Sequence, residues 1–394
     1  LLAVDGKSLY TIIDEGSGLM QQIFVSLACS SRTVVAFRLA PAQKAALVNL
    51  VQMFVGKHRI CLAVGDGSND VSMIQKAHVG VGIFGAEGRG AVNSADFAIG
   101  QFRYLRSLLF VHGRWNSRRI GTVIGYSFYK NFLLVLSMVY YSPSTGFSGT
   151  TLFTGSLLMS YNLLFTGLPV FIAGVYDIDV HADAAYSEAK LYLLGLGGTY
   201  FNWLVLGGWL LRGIIHAFIN YFVSASVLGG LTYGKHTPVS DHLSLGTWCY
   251  WNCVLIANAT LLLHSKAWMD WQLLGTAVSV FPCLIVVAIL SSPSTSMWLK
   301  PSFAGVAEMV ILFLPCWITS FFVVTICILF DLTCDFCRRQ LMPDLVERMQ
   351  DFLTRGGMVK AAQDGKLESF LDVRGPAPGV YSMEDAEEKT FYDS

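Results

Sequence analysis

The sequence predicts two parts of different class: an α/β segment built on a short parallel sheet, then an all-α bundle of six membrane helices. Three observations lead there. Residues 1–99 alternate short apolar runs with stretches of helical periodicity, the pattern of parallel strands joined by crossover helices. Residues 120–330 hold six apolar stretches, each long enough to cross a bilayer. Composition agrees, since 54% of the 394 residues are hydrophobic, 14% are charged and the mean hydropathy is +0.53. Soluble domains carry roughly 25% charged residues.

In chain order, Leu1–Val4 and Thr33–Phe37 read as short buried strands with a helix over Ser17–Ser26 between them. Asp5-Gly-Lys-Ser8 lacks the upstream glycine of a phosphate-binding loop and reads as a turn. A helix over Ala42–Val55 follows Pro41. Ile60–Val64 then runs into Gly65-Asp-Gly67, Asn69-Asp70 comes next, and Val71, Ile74 and Ala77 recur at helical spacing. This is strand, tight turn and helix, with two carboxylates at the carboxyl end of the strand. Glycines on either side of Asp66 let the backbone turn sharply and let a phosphate or metal come close. Asp66 and Asp70, joined by a turn, suit a hard cation such as Mg²⁺. An Asp-Gly turn that only caps a helix through Ser68 or Asn69 accounts for the same residues, and the local pattern does not separate the two. Val79–Ile83 reads as the fourth strand.

Residues 100–119 form an approach segment with five arginines: Arg103, Arg106, Arg114, Arg118 and Arg119. The six spans are expected near 120–141, 152–176, 201–224, 244–264, 269–290 and 305–330. Residues 132–330 carry five Lys or Arg in all (Lys190, Arg212, Lys235, Lys266, Lys300), whereas Arg338 and Arg339 follow the last span. An even number of spans with positive flanks puts both ends of the chain in the cytosol. Pro169, Pro282 and Pro315 are no objection, because neighbouring helices can satisfy freed backbone groups. Residues 331–394 read as a cytosolic tail. Leu345, Val346, Met349, Phe352 and Leu353 make one amphipathic face within Pro343–Arg355, and a Gly/Pro-rich, acidic end follows.

Five of the nine cysteines (Cys249, Cys253, Cys283, Cys316, Cys327) fall in apolar runs and read as buried hydrophobes, not a disulfide framework. Cys334-x-x-Cys337 lacks the second pair a zinc site needs, and inert thiols or palmitoylation both remain open. Asn258-Ala-Thr260 fits a glycosylation sequon but falls inside a span. A net charge of zero gives no field that would draw nucleic acid. The opening Leu1-Leu-Ala-Val has no initiator Met, basic lead or long apolar core, and reads as the interior of a domain. The sequence is therefore expected to be a fragment of a longer chain.

VGDGSNDVSMIQKAHVGVGIFGAEG (64–88) resembles the Mg²⁺-binding hinge motif of the P-type ATPases, within the haloacid-dehalogenase phosphotransferase superfamily. Further strings resemble one subfamily, the type-four P-type ATPases or phospholipid flippases. They are SADFAIGQFRYLRSLLFVHGRW (94–115), FYKNF (128–132), FSGTTLF (147–153), YNLLFTGLPV (161–170) and YDIDV (176–180). The resemblance runs from about residue 1 to about 330. It implies that residues 1–99 are the carboxyl-terminal part of a haloacid-dehalogenase-like (Rossmann-type) phosphorylation domain, followed by the six-helix membrane domain (120–330) and the tail (331–394).

By resemblance, Asp66 and Asp70 match the Mg²⁺ carboxylates, Asn69 lies next to the phosphate, and Arg38 and Lys44 (in FRLAPAQKA, 37–45) match the phosphate-facing pair of an ATP-driven cycle. The plain alternative for Lys44 is a lysine on a solvated helix face. Lys130 and Asn131 match the family's pair near the translocating lipid headgroup. A cation halfway along a span costs about 2.5–3.5 kcal/mol on insertion scales, so Lys130 should face a cavity or partner; pairing inside the bundle is the structural alternative. Asn162 reads equally as a lipid contact or an interhelical hydrogen bond. Pro169 is expected to kink its helix and free carbonyls near Asn162. Asp177 and Asp179 are expected to be exposed at a helix exit, and no counter-ion is evident for Arg212.

The implied cofactors are Mg²⁺ and ATP. The implied partners are phospholipid, the bilayer and a small two-span glycoprotein accessory subunit, in the plasma membrane or Golgi/endosomal membranes. The Asp-Lys-Thr-Gly-Thr nucleophile motif is not in the sequence, so these residues cannot form the phosphoenzyme by themselves. Two rivals stay open. A cation-transporting P-type ATPase would want carboxylates in its spans, yet 120–141 and 152–176 contain no Asp or Glu. A non-catalytic product that binds the accessory subunit is the other.

Overall fold

The computed structural model describes residues 1–15, 18–55, 60–85, 88–187, 190–228, 232–233, 237–238, 242–299, 303–341, 343 and 346–348. Two compact units divide the chain, Leu1–Leu109 and Phe110–Ser394.

The first unit runs β1 (Leu2–Asp5), α1 (Gly6–Tyr10), α2 (Gly18–Ser30), β2 (Val34–Phe37), α3 (Pro41–Phe54), β3 (Leu62–Gly65), α4 (Val71–Lys76), β4 (Val79–Ile83), α5 (Gly90–Ser94), β5 (Phe97–Ile99) and α6 (Tyr104–Ser107). Every strand pair is parallel, as the strand–helix alternation predicts. The strands do not share one sheet, however. β1 pairs with β2, and β3, β4 and β5 form a second ladder. Each ladder has its own core: Val4, Leu9, Phe24, Val25 and Leu50 under the first, and Ala63, Ile74 and Ala91 under the second. The two meet through α3 and α4, not through strand hydrogen bonds.

β5 is a strand that apolar patterning does not reveal, because it is three residues long. Asp96 starts it by gripping Gly80 on β4 twice: its Oδ2 accepts from the Gly80 amide at 2.8 Å and its own amide donates to the Gly80 carbonyl at 3.0 Å. α3 begins at Pro41, whose missing N–H is no loss in the first turn. Gln43 secures that start, its Oε1 accepting from the Ala40 amide and its Nε2 donating to the Gly6 carbonyl.

The second unit holds α7 (Arg114–Tyr141), α8 (Gly155–Ser160), α9 (Gly167–Tyr176), α10 (Ala182–Ser187), α11 (Lys190–Leu196) and α12 (Trp203–Leu228). A two-residue ribbon (Thr232–Tyr233 with Thr237–Pro238) follows, then α13 (His242–His264), α14 (Asp270–Ser291), α15 (Pro293–Leu299), α16 (Val306–Leu312) and α17 (Leu314–Leu341). Five helical stretches among the described residues are long and apolar enough to cross a membrane: Tyr104–Thr145, Gly155–Tyr176, Trp203–Val227, Asp270–Ser291 and Leu314–Leu341. The sequence reading expected six. The missing one is α13, which has the length but carries Thr247, Asn252, Asn258 and Thr260 in its middle. It is buried on nearly every side, and α7, α9, α12, α14, α16 and α17 all pack against it.

Two expected spans are broken. Between α8 and α9 the helix widens over Tyr161–Phe165, and Thr166 leaves helical geometry at φ −137°. Pro169 has no N–H for the carbonyl four residues back, Phe165, and the Asn258 amide on α13 donates to that oxygen at 3.0 Å instead. The expected span 305–330 divides at Phe313 into α16 and α17. Pro315 sits in the first turn of α17, a position that favours a helix start and disfavours helix before it. α17 then continues past 330 to Leu341, so the residues after the last span begin in helix. The amphipathic stretch 343–355 and the acidic end lie almost wholly outside the described residues; Val346 packs beside Val180, Ala184, Leu191 and Leu194. Cys249, Cys253, Cys283, Cys316 and Cys327 are buried and unbridged, as expected.

Gly246 is where α13 comes closest to the chain entering α8, since a Cβ there would stand 2.0 Å from the Leu152 carbonyl oxygen. Gly246→Ala is expected to lower stability by about 1–3 kcal/mol through overpacking. Gly207→Ala, whose Cβ would meet nothing within 4 Å, is the control and should be neutral or mildly stabilising. Denaturant titration of the two variants in the same detergent checks this, and equal midpoints would refute the close packing.

Candidate functional site

The residues singled out from the sequence lie in two places, one in each unit. In the first unit β3 ends at Gly65, Asp66 and Gly67 turn the chain, and a 3-10 turn (Ser68–Asp70) leads into α4. Gly65 is required there. A Cβ on it would stand 2.4 Å from the Asp70 Cβ and 2.9 Å from its Oδ2, so only glycine lets the Asp70 carboxylate fold against the strand end. Gly85 does the same for Asp66, whose carbonyl oxygen and Cβ would lie 2.9 and 3.2 Å from an added Cβ.

Lys44, three residues after Pro41 on α3, reaches across to Asp70, with Nζ 2.7 Å from Oδ1. The Ser72 hydroxyl donates to the Pro41 carbonyl at 2.9 Å and holds the start of α3 against α4. Lys44 is therefore an ion-paired residue, not a lysine on a solvated face. Asp66 and Asn69 are exposed on the same turn. Arg38 is exposed at the end of β2 with φ +55°, and among the described residues no hydrogen bond or ion pair joins it to Lys44 or Asp70. The structure thus brings together Lys44, Asp70 and, across the turn, Asp66; Arg38 stands apart. Asp5 caps α1 by accepting from the Ser8 amide at 2.9 Å, which holds its carboxyl below the usual carboxylate range. The stretch Asp5–Ser8, expected to be a turn, is instead the end of β1 and the first turn of α1.

No group of three or more His, Cys, Asp or Glu among the described residues is placed to hold a metal. The acidic turn offers two carboxylates, Asp70 paired with the Lys44 ammonium and Asp66 with no ion pair among the described residues. Such a pair fits Mg²⁺, which keeps several waters and commonly takes one or two carboxylates plus phosphate oxygens.

The second place is the break between α8 and α9. Lys130 lies on α7 with its side chain buried, and its Nζ donates to the Thr166 hydroxyl at 2.9 Å. Thr166 in turn donates to the Tyr161 carbonyl at 2.7 Å, and the Tyr161 hydroxyl donates to the Lys130 carbonyl at 3.2 Å. The helix break supplies this pocket: it frees the Tyr161 carbonyl and turns Thr166 toward α7. No described carboxylate lies within ion-pair distance of Lys130. Asn131 and Asn162 are exposed beside the break, and the Asn162 amide donates to Asn131 Oδ1 at 3.1 Å. Of the two alternatives for Asn162, the structure shows the interhelical hydrogen bond, made on an exposed face.

Sequence reasoning placed Asp177 and Asp179 at an exposed helix exit. They are buried, at 7% and 9% exposure. The Arg114 guanidinium grips Asp179 with two bonds of 3.1 and 2.5 Å, Arg118 pairs with Asp177 at 2.9 Å, and Asp177 also accepts the Lys266 and Ala267 amides. The available signal was a cluster of arginines (Arg114, Arg118, Arg119) before one span and a pair of aspartates (Asp177, Asp179) after the next. Arg212 also has its counter-ion, Asp331 on α17, with a bond of 2.5 Å.

The family model described as phospholipid-translocating P-type ATPase, carboxyl-terminal, matches residues 92–344. Phospholipid-transporting ATPase DRS2 of Saccharomyces cerevisiae is 36% identical over 292 residues, 74% of this chain and 21% of that protein. A phospholipid-transporting ATPase of Schizosaccharomyces pombe is 33% identical over 356 residues, 89% of this chain and 27% of that protein. Phospholipid-transporting ATPase 10 of Arabidopsis thaliana is 36% identical over 298 residues, 75% of this chain and 24% of that protein. The chain therefore spans about a quarter of the length of the curated relatives it matches. Five apolar helices and a family match that covers the second unit as far as residue 344 make it an integral, multi-pass membrane protein. The chain belongs to the phospholipid-translocating P-type ATPase family, whose carboxyl-terminal region it carries.

Proposed function

We propose that the chain is the carboxyl-terminal portion of an ATP-driven phospholipid translocase that moves phospholipid from the outer to the cytosolic leaflet through an aspartyl-phosphate cycle. The observation that carries this reading is Lys130, a buried cation whose described partner is a neutral hydroxyl. Such a charge in a membrane bundle is costly unless an anion meets it, and a phospholipid phosphate is an anion that the bilayer supplies. Asn131 and Asn162, paired on the open face one residue along each helix, are placed to bond the rest of a headgroup. A cation pump is less well supported. The buried carboxylate of α17, Asp331, is already neutralised by Arg212.

In this reading residues 1–99 complete a haloacid-dehalogenase-like phosphorylation domain with upstream sequence that carries the nucleophile. Asp66 and Asp70 would hold Mg²⁺, which would screen phosphate charge. Lys44 would exchange Asp70 for a phosphoryl oxygen of ATP or of the aspartyl phosphate, with Asn69 and Arg38 beside it. α13 would be the sixth span, putting both ends of the chain in the cytosol. A two-span accessory subunit and a plasma-membrane, Golgi or endosomal location belong to the same proposal.

Lys130→Ala in the longer polypeptide should raise the lipid concentration for half-maximal ATPase activation about 10- to 100-fold, since a hydrogen bond to a charged group is worth about 1.5–3 kcal/mol. ATP affinity should stay unchanged. Superimposable lipid-activation curves for variant and wild type would refute the lipid role. Mg²⁺ alone, titrated into the full chain, tests the acidic turn. Asp66→Asn should abolish saturable binding, whereas Lys44→Ala should tighten it up to about fivefold by releasing Asp70 from a part-exposed ion pair worth about 0.2–1 kcal/mol. Weaker binding in Lys44→Ala would show that Lys44 supports the metal ligands instead of competing with them.

A further inference from the structure

The seven cysteines of the second unit fall into two groups. Cys249, Cys253, Cys283, Cys316 and Cys327 are buried in the bundle, whereas Cys334 and Cys337 on α17 are exposed, and all seven are free thiols. The exposed pair lies where α17 outruns its neighbours. Asp331 is the last buried residue of the helix, and from Leu332 to Leu341 every residue except Asp335 is exposed. Apolar side chains continue through that stretch, with Leu332 48%, Phe336 63% and Leu341 80% exposed. An apolar helix end that continues a span and is uncovered by protein is a surface for lipid.

Depth and direction place the two thiols. A run of about 20 residues from Leu314, where α17 starts, reaches Cys334, and Cys337 follows about one turn later. At a rise of 1.5 Å per residue the thiols lie about 30–35 Å along the helix, at the edge of a hydrocarbon core about 30 Å thick. Eleven residues make about three turns, so Cys337 stands in line with Ile326, and Thr333 one turn before it shares that line. All three are exposed, with Phe322 and Leu329 exposed beside them, so Cys337 prolongs the outward, lipid-facing stripe of the span. Cys334 is in line with Val323 and Cys327, which are buried, and is uncovered because the bundle ends before it. Charge begins directly afterwards: Arg338 and Arg339 both pair with Glu347, at 2.5 and 3.4 Å. Two other uses of a Cys-x-x-Cys pair do not fit. Among the described residues no third or fourth metal-binding side chain joins the two thiols, and a reducing cytosol keeps them unbridged.

We propose that Cys334 and Cys337 form an S-acylation site, at which a long-chain fatty acyl thioester fastens the uncovered end of α17 to the bilayer. A thiol at the boundary between hydrocarbon and water is where such chains are attached, and the chain then lies in the membrane beside Leu329 and Phe336. The step is a thioester exchange. The cysteine Sγ attacks the carbonyl carbon of a fatty acyl-coenzyme A, the bond from that carbon to the coenzyme A sulfur breaks, and the thiol proton leaves with coenzyme A. Nothing is oxidised or reduced. The site rests on the proposed topology, which puts this end of α17 in the cytosol with the acyl donor, and not on the lipid role of Lys130.

The test compares the longer polypeptide with its Cys334→Ser/Cys337→Ser double variant, both made in the source cells. Both side chains are exposed, so neither substitution removes a packed group. Free thiols in the membranes are blocked, thioesters are cleaved with hydroxylamine, and each thiol released is tagged with a maleimide polymer that adds one visible mass step. The double variant should lack one or two of the steps that the wild type shows. Equal numbers of steps in the two proteins overturn the proposal. A membrane-impermeant maleimide, applied after hydroxylamine, tests the topology separately. Labelling of Cys334 and Cys337 only in permeabilised cells supports a cytosolic site. Their labelling in intact cells refutes the topology and with it acylation from cytosolic acyl-coenzyme A, whereas equal steps with labelling only after permeabilisation refute the acylation alone.

Discussion

A backbone carbonyl released inside an apolar bundle must find a donor, and the second unit is arranged around meeting that need. The break between α8 and α9 frees several carbonyls where water is scarce. α13 answers one of them, the Asn258 amide donating to Phe165 at 3.0 Å, and its Tyr250 hydroxyl adds a second donor at 2.6 Å to the Leu157 carbonyl, which also accepts the Tyr161 amide. Gln272 on α14 lies 3.5 Å from the Pro169 carbonyl. The polar residues at the centre of α13 bond to several neighbours, Asn258 to the broken helix, Asn252 to Ser224 on α12 and Thr260 to Asp331 on α17, and a helix that serves all three is enclosed by them. Its burial and its low apolarity have one cause.

That arrangement leaves two buried cations in different circumstances. Arg212 has Asp331 at 2.5 Å, and the pair is further bonded by Thr260, which is how a buried ion pair recovers its desolvation cost. Lys130 has Thr166, a neutral hydroxyl that is itself fixed by the Tyr161 carbonyl. The first is a finished structural pair and the second an incomplete one. Residue type does not distinguish them, since both are single cations halfway along apolar helices. Partner chemistry does: Arg212 meets a carboxylate inside the bundle, whereas the described partner of Lys130 is an uncharged hydroxyl.

Much of this was legible in the sequence. Local signals locate four of the five strands of the first unit to within a residue or two: Ile60–Val64 stands for β3 at Leu62–Gly65, and Val79–Ile83 for β4 without a shift. The glycine–aspartate turn was legible because its logic is local, with Gly65 making room for Asp70 five residues on. What escaped was non-local. Asp331 looked like the first residue of a tail, because its partner Arg212 lies 119 positions earlier. Asp177 and Asp179 looked exposed for the same reason; their arginines sit on a different helix. The division into two ladders escaped too, since strand patterning shows which segments pair but not where a sheet ends.

The stride of four on α12 shows why hydropathy and function part company in such a bundle. Averaged over the helix, Arg212, His216, Asn220 and Ser224 are diluted by leucine, isoleucine and phenylalanine, and the stretch still qualifies as a span. Placed on the helix, they form one polar line facing α13 and α17, with the apolar residues Leu211, Ile214, Phe218 and Phe222 turned outward. A bilayer sees only the outward set. Inside, each polar group on the line meets one from another helix, so a substitution on that face changes two helices at once. The lipid-facing side can vary in size and shape at little cost, whereas the inner line is bound by the count of donors and acceptors.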